Sequence, residues 1–256
     1  MLLYVNGDSH SAGAELVKDY FFAEDDNRYR HYGRTPHPEA IPKTFGHHLS
    51  KKLNAGYFLD AESASSNDRI LRTTQLFLGE KIRKPRTIVI GWSSWEREEF
   101  WHTDRYYQFT ASGTDSVPEE LELDYKIWVA EQTNDTLRIK HIYWHNKIWD
   151  FHQELVEKNV KHLFFNAMQN FNPGWVESKD WQGSYIEPYD NNWVYINWAK
   201  QQGFLTANFF GSHYGEDAHK AWARELHTRL TGPVESSTIN TRVVNARVNP
   251  YKPRKL

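Results

Sequence analysis

Apolar positions in this chain fall into short unbroken runs, separated by stretches with helical spacing. Leu2-Leu3-Tyr4-Val5 is such a run, stopped at Asn6-Gly7-Asp8, and reads as a buried strand. Residues 43–54, ending Leu49-Ser50-Lys51-Lys52-Leu53, predict a helix, and Tyr57-Phe58-Leu59 a short strand. Ser66 or Asn67 can cap a helix running through Ile70, Leu71 and Leu76 to Leu78. Thr87-Ile88-Val89-Ile90-Gly91 is the clearest strand: β-branched, uncharged and ending on glycine.

The second half keeps the alternation. Residues 102–118 carry turn residues without a period and predict a loop. A helix is expected over 119–132, and another from about 136 to 158, where Leu137, Trp144, Ile148, Phe151 and Leu155 recur at helical spacing. Lys161 to Asn166 predicts a strand, 167–190 a polar, aromatic loop, 191–202 a helix, Phe204 to Phe209 a last strand and 215–230 a last helix. Strands alternating with helices predict an α/β fold whose mainly parallel sheet, of about five strands, is covered on both faces. No internal repeat is present. Beyond 231 the helical period stops, and Arg242, Arg247, Lys252, Arg254 and Lys255 face no acid after Glu235. The chain therefore divides into a domain over 1–230 and a basic extension over 231–256. That extension is either a draped terminus or an arm that docks on a neighbouring subunit or an acidic partner.

Composition narrows the function. A length of 256 residues suits one large domain or two small ones. The absence of cysteine excludes disulfides, cysteine-ligated metals and a thiol nucleophile. Thirty-one basic residues against 33 acidic ones leave a formal charge of -2, without the basic footprint of a nucleic-acid binder. No stretch approaches 18 apolar residues and the first residues lack a basic leader, so a cytoplasmic protein without a membrane partner is expected. Eleven tryptophans and 15 % aromatic residues are the unusual figure. They fit a wide core or a surface that stacks on flat ligands. Trp92, Trp95 and Trp101 in one segment, and Trp175, Trp181, Trp193 and Trp198 in another, follow predicted strand ends.

Ligands of open parallel sheets bind beyond the carboxyl ends of the strands. The first strand ends in Gly7-Asp8-Ser9-His10-Ser11-Ala12-Gly13. A serine on a glycine-flanked turn at a strand end projects its hydroxyl over the sheet, and the helix that follows offers N–H groups for an oxyanion. This block resembles the first block of the SGNH (GDSL) hydrolase superfamily. The resemblance implies a three-layer α/β/α flavodoxin-like sandwich, Ser9 as nucleophile and a serine esterase or O-deacylase chemistry needing no cofactor.

The later blocks are similar but altered. Where the family has an oxyanion glycine after the second strand, this chain has Ala64 or Ser65, with Asn67 as either an additional donor or the helix cap. In place of Gly-x-Asn-Asp stands Gly91-Trp92-Ser93-Ser94, so Ser93 takes the place of the oxyanion asparagine. Glu96 and Arg97 form either a polar clamp at the mouth or a solvated pair. For the final Asp-x-x-His block, one register makes His213 the general base with Phe210 at the acid position. The other uses Glu216-Asp217-Ala218-His219. The acid that supports the histidine is open among Glu62, Glu96, Glu216 and Asp217.

Thirteen histidines also raise a metal reading, through His141, His145 and His152 on one helix. No glutamate stands between the first two in the H-E-x-x-H manner, and packed or edge histidines are the expectation, as for His37 and His47-His48. The resemblance implies an ester or acylated-glycan substrate, with hydrolysis and acyl transfer both open. Altered blocks and tryptophan-rich loops are also similar to SGNH-like proteins encoded by tailed phages, where virion association would follow. The alternative class is a non-catalytic SGNH-like protein used for binding or assembly.

Overall fold

The computed structural model describes residues 1–17, 35–80, 87–111, 117–207 and 211–232. Its centre is a four-stranded sheet of β1 (Leu2–Gly7), β2 (Gly56–Leu59), β3 (Thr87–Trp92) and β6 (Lys161–Asn166) in the order β2-β1-β3-β6. Every pairing is parallel, with Val5 beside Leu59 and Val89, and Gly91 beside Phe165. The chain leaves β1 for one neighbour and returns to the other, so the crevice between the ends of β1 and β3 is the switch point of a flavodoxin-like order.

Alternation along the strands sorts side chains onto two covered faces. Leu3, Val5, Val89, Leu163 and Phe165 face α2 (Phe45–Lys52), α6 (Tyr195–Gln201) and α7 (Glu216–Thr231), where Leu49, Tyr195 and Trp222 meet them. Tyr4, Ile88, Ile90, Trp92 and Phe164 face α3 (Asn67–Gly79) and α5 (Asn134–Glu157), against Ile70, Phe77, Trp144 and Phe151. The result is a three-layer α/β/α sandwich with two apolar cores. A short helix, α1 (Ser9–Ala12), begins directly at the end of β1.

Two expectations change. The loop expected over 102–118 begins with an antiparallel hairpin of β4 (Glu98–His102) and β5 (Arg105–Phe109). One face of it, Phe100 and Phe109, packs a small third core with Leu121, Tyr125 and Trp128, the last two on α4 (Glu122–Ala130). Its turn lacks the Asn-Gly or Asp-Gly signal of short hairpins, and Thr103 itself takes φ 57°. The predicted strand at Phe204 to Phe209 adds no described strand to the sheet, which is four-stranded rather than five. Phe204 packs on the first core and Leu205 is 84 % exposed, but the backbone of 205–207 pairs with 213–215 rather than with a sheet strand. Thr206 bridges Tyr214, Ala207 N–H donates to His213 O and Gly215 N–H to Leu205 O. Residues 208–210, including Phe210, and the extension from 233 onward lie outside the described residues.

Buried polar bonds tie the hairpin and helices together. Lys140 is enclosed, with Nζ 2.6 Å from a Glu98 carboxylate oxygen and donating to Gln132 Oε1 and Glu96 O. Arg72 makes a two-pronged pair with Glu99 at 2.8 and 2.7 Å. Asp68, in the first turn of α3, sits beside this group. Burial, reinforced by Glu98 and Glu99, pushes its carboxyl up to about 7. A carboxyl raised above its unfolded value of 3.8 favours folding while protonated, and that contribution disappears as the pH rises from about 4 to about 7. The helix N-terminal dipole offsets part of the effect. Asp68→Asn is therefore expected to match the wild type at pH 4.5 and exceed it by about 1–3 kcal/mol at pH 8, read by urea unfolding. Equal differences at the two pH values would contradict this.

Candidate active site

The carboxyl ends of β1 and β3 are built to accept a short helix between them. A Cβ on Gly91 would fall 2.6 Å from the Phe165 ring and 2.8 Å from Ser11 Oγ, so glycine lets α1 press onto the sheet. Gly13 then closes α1 in the left-handed region at φ 74°.

Asp8 organises the turn. Its side chain is fully enclosed and caps α1, Oδ1 accepting from His10 N–H at 3.0 Å. Oδ2 accepts from the Ser93 hydroxyl at 2.9 Å and lies 3.6 Å from Arg97 Nη1. Burial raises the Asp8 carboxyl, opposed by the Arg97 charge and by the hydrogen bonds from Ser93 and His10. Arg97 Nη1 also donates to Ser93 Oγ at 2.9 Å and reaches Ser65 O at 3.5 Å. Arg97 thus forms neither the clamp nor the solvated pair offered for it with Glu96. Arg97 is buried and turned inward as counter-ion to Asp8, and Glu96 contributes its carbonyl to Lys140.

Of the residues offered for the oxyanion, the Asn67 side chain bonds to the backbone of Ser93. Asn67 Oδ1 accepts from Ser93 N–H at 2.8 Å, and Asn67 Nδ2 donates to Ser93 O at 3.2 Å. Ser66, not Asn67, caps α3, its Oγ accepting from Arg69 N–H. The one hydrogen of the Ser93 hydroxyl goes to Asp8, while Asn67 Nδ2 keeps a second hydrogen. Ala64 is buried and held at φ 66°, and the adjoining Glu62 N–H donates to Gly7 O, drawing this loop onto the end of β1.

Ser9 opens α1 and is 7 % exposed. His213, three residues before α7, lies at the same corner, its ring 4.8 Å from that of His10. No described hydrogen bond joins Ser9 Oγ to His213 or to His219. His10 is buried against Tyr195. Burial, with the charges of His213 and Arg97, holds its imidazole well below the usual range, so it stays neutral.

His219 belongs elsewhere. It is 1 % exposed, stacks on Phe45 and accepts the Phe45 N–H at Nδ1, supporting the start of α2. Burial lowers it to about 3. None of the four acids offered by the sequence faces His213. Glu62 pairs with Arg69 at 2.8 Å, Glu216 with His48 and Lys220, and Asp217 with Lys220, while no ion pair joins Glu96 to His213 among the described residues. The carboxylate at His213 is Glu15, Oε1 standing 3.0 Å from Nδ1 but off the line of a straight hydrogen bond. Sequence reasoning passed over Glu15. Its only signal was a position two residues beyond the glycine that ends α1.

Elsewhere the histidines serve packing. His141 Nε2 accepts from Asn172 N–H, His145 Nε2 meets Tyr189 Oη and His152 Nδ1 meets His162 Nε2. Among the described residues no group of three or more His, Asp or Glu is placed to hold a metal ion. Most tryptophans are also structural: Trp95 stacks on Phe171, while Trp92, Trp181 and Trp222 fill the cores. Trp101 and Trp175 are exposed, Trp101 beside Tyr106 on the hairpin.

No family model and no curated protein matches the chain. Among solved structures it is similar to a carbohydrate esterase whose active site displays divergent catalytic and non-catalytic binding functions, with 16 % identity, TM-score 0.42, 91 % of this chain and 65 % of that one. It is also similar to the acetyl xylan esterase Est2A from the rumen bacterium Butyrivibrio proteoclasticus, with 16 % identity, TM-score 0.40, and 90 % and 63 % coverage. A third is a carbohydrate esterase family 2 enzyme with a carbohydrate binding domain from Corynascus thermopiles (Myceliophthora fergusii), with 14 % identity, TM-score 0.39, and 90 % and 65 % coverage. The chain spans just under two thirds of the length of each.

Because Asp8 and Arg97 are both enclosed, removing one leaves a buried charge without its partner. Arg97→Met is expected to cost about 3–5 kcal/mol in urea unfolding. Adding Asp8→Asn, which keeps a capping side chain, should restore a large part of that loss. An additive double variant would show that the two side chains do not compensate one another.

Proposed function

We propose that the chain is a serine ester hydrolase, with Ser9 as nucleophile and His213 as general base. One observation supports the reading: Ser9 opens a helix at the switch-point strand end, and the ring of His213 lies 4.8 Å from that of His10, the residue next to it. In the reaction, the Ser9 hydroxyl gives its proton to the imidazole as Oγ bonds to the ester carbonyl carbon. The oxyanion is received by N–H groups of Ser9 and Ala64, with the spare hydrogen of Asn67 Nδ2 as third donor. Collapse breaks the bond to the alcohol, which leaves with the proton from His213. Water repeats the sequence on the acyl-Ser9 ester and releases the acid. Contact between Ser9 Oγ and the His213 ring closes on substrate binding, as catalytic hydrogen bonds left open in ligand-free sites do. No step calls for a cofactor.

For the substrate we propose an acylated carbohydrate. Exposed Trp101, Tyr106 and Trp175 lie on segments that follow the carboxyl ends of β3 and β6, and aromatic faces of this kind suit sugar rings. A second reading, a binding or assembly protein on the same scaffold, is favoured by the engagement of Ser93 with Asp8 and Asn67 and by the narrow exposure of Ser9.

A fluorophosphonate probe separates the two readings. The expected result is a single adduct on Ser9, located by mass spectrometry, absent in Ser9→Ala and slowed at least 100-fold in His213→Ala, while His219→Asn labels like the wild type once folded. Failure of the wild type to label, together with no hydrolysis of p-nitrophenyl acetate, would favour the binding reading.

A further inference from the structure

The final helix block carries no acid that reaches His213 among the described residues, yet the imidazole does not lack a carboxylate. It comes from the other end of the chain. We propose that Glu15 is the positioning residue of this site: its carboxylate orients the His213 ring and balances the charge the ring acquires when Ser9 attacks. This rests on the reading of Ser9 and His213 given above.

Three observations point to it. First, Glu15 Oε1 lies 3.0 Å from His213 Nδ1, with both side chains mostly shielded from solvent, at 20 % and 17 % exposed. The carboxylate faces Nδ1, which leaves Nε2 for the serine proton. Second, Glu15 is held at φ 67°, a left-handed conformation that disfavours any residue with a Cβ. Strain of this kind persists where surrounding structure imposes it, and it gathers at functional sites. Third, that structure is visible. Gly13 reverses the chain, Ala14 N–H donates to Ser9 O, Leu16 is buried, and Leu16 O accepts from Lys43 Nζ at 3.1 Å. The turn that ends the nucleophile helix is pinned on both sides of Glu15, so one segment of seven residues supplies both Ser9 and the carboxylate.

The chemistry conserves protons. The Ser9 proton moves to Nε2, the Nδ1 proton stays on the ring facing Glu15, and Glu15 remains ionised throughout. Its effect is on the orientation, tautomer and charge of the imidazole, as expected of the third member of a serine–histidine site.

The test uses Glu15→Gln, Glu15→Asp and Glu15→Gly in the full chain. With fluorophosphonate, Glu15→Gln is expected to label Ser9 about 100-fold more slowly than wild type, with Glu15→Asp recovering to within about 10-fold. Glu15→Gly removes the carboxylate and the backbone strain together. It should melt at or above the wild-type temperature while labelling as slowly as Glu15→Gln, a combination that a merely structural role would not give. The second readout is independent of activity. Nitrogen-15 shifts of His213, assigned by comparison with His213→Asn, should report the Nδ1–H tautomer in the wild type and a shift toward Nε2–H in Glu15→Gln. Unchanged His213 shifts, or unchanged labelling in Glu15→Gln, would overturn the proposal. A tautomer shift on Glu15→Gln together with a wild type that never labels would overturn the esterase reading and leave the positioning contact standing.

Discussion

A carboxylate with no exposure to solvent, Asp8, stands at the end of the first strand, and much of this corner exists to accommodate it. An ion so placed is costly to desolvate, and its attraction to a partner offsets that cost only with good geometry and further hydrogen bonds. The fold supplies the His10 N–H, the Ser93 hydroxyl and the Arg97 guanidinium. These groups come from both strand ends that flank the switch point. Fixing Asp8 therefore fixes the start of α1, and with it Ser9, against the loop after β3.

The same demand explains why the loop after β3 looks unlike an oxyanion block. Ser93 lies between Asp8 and Arg97 with its hydroxyl bonded to both, and its backbone is bonded at N–H and C=O by Asn67. Those bonds give the crevice a rigid floor. Behind it the hairpin, Lys140 and the Arg72–Glu99 pair hold the rim that carries Trp101 and Tyr106. No described helix is long and apolar enough to cross a membrane.

Strands 2–5, 87–91 and 161–166 were legible because a sheet covered on both faces demands unbroken apolar runs. The long helices were legible from their spacing and from Ser66 and Thr133 at their starts. The hairpin was not, because Glu98, Glu99 and Arg105 gain their partners from α3, α5 and the turn itself rather than from an apolar alternation. Phe204 to Phe209 looked like a strand because composition alone cannot tell an edge strand from an excursion. Leu205 points to solvent, and the backbones of Leu205 and Ala207 bond to Gly215 and His213 instead.

What the sequence by itself determined was the layered α/β architecture, the switch-point strand ends and the serine that opens α1. All of these follow from local periodicity and from glycine at positions that tolerate nothing larger. Only the tertiary structure decided which polar groups meet. It enclosed His219 in the core, turned Arg97 inward to Asp8, joined Asn67 to Ser93 and set Glu15 against His213 across nearly the whole chain. The physical reason is that charge and hydrogen bonding act through space over a few ångströms, whatever the separation along the chain. Residues 15 and 213 share no local pattern, and a contact between them exists only once the sheet and its helices have formed.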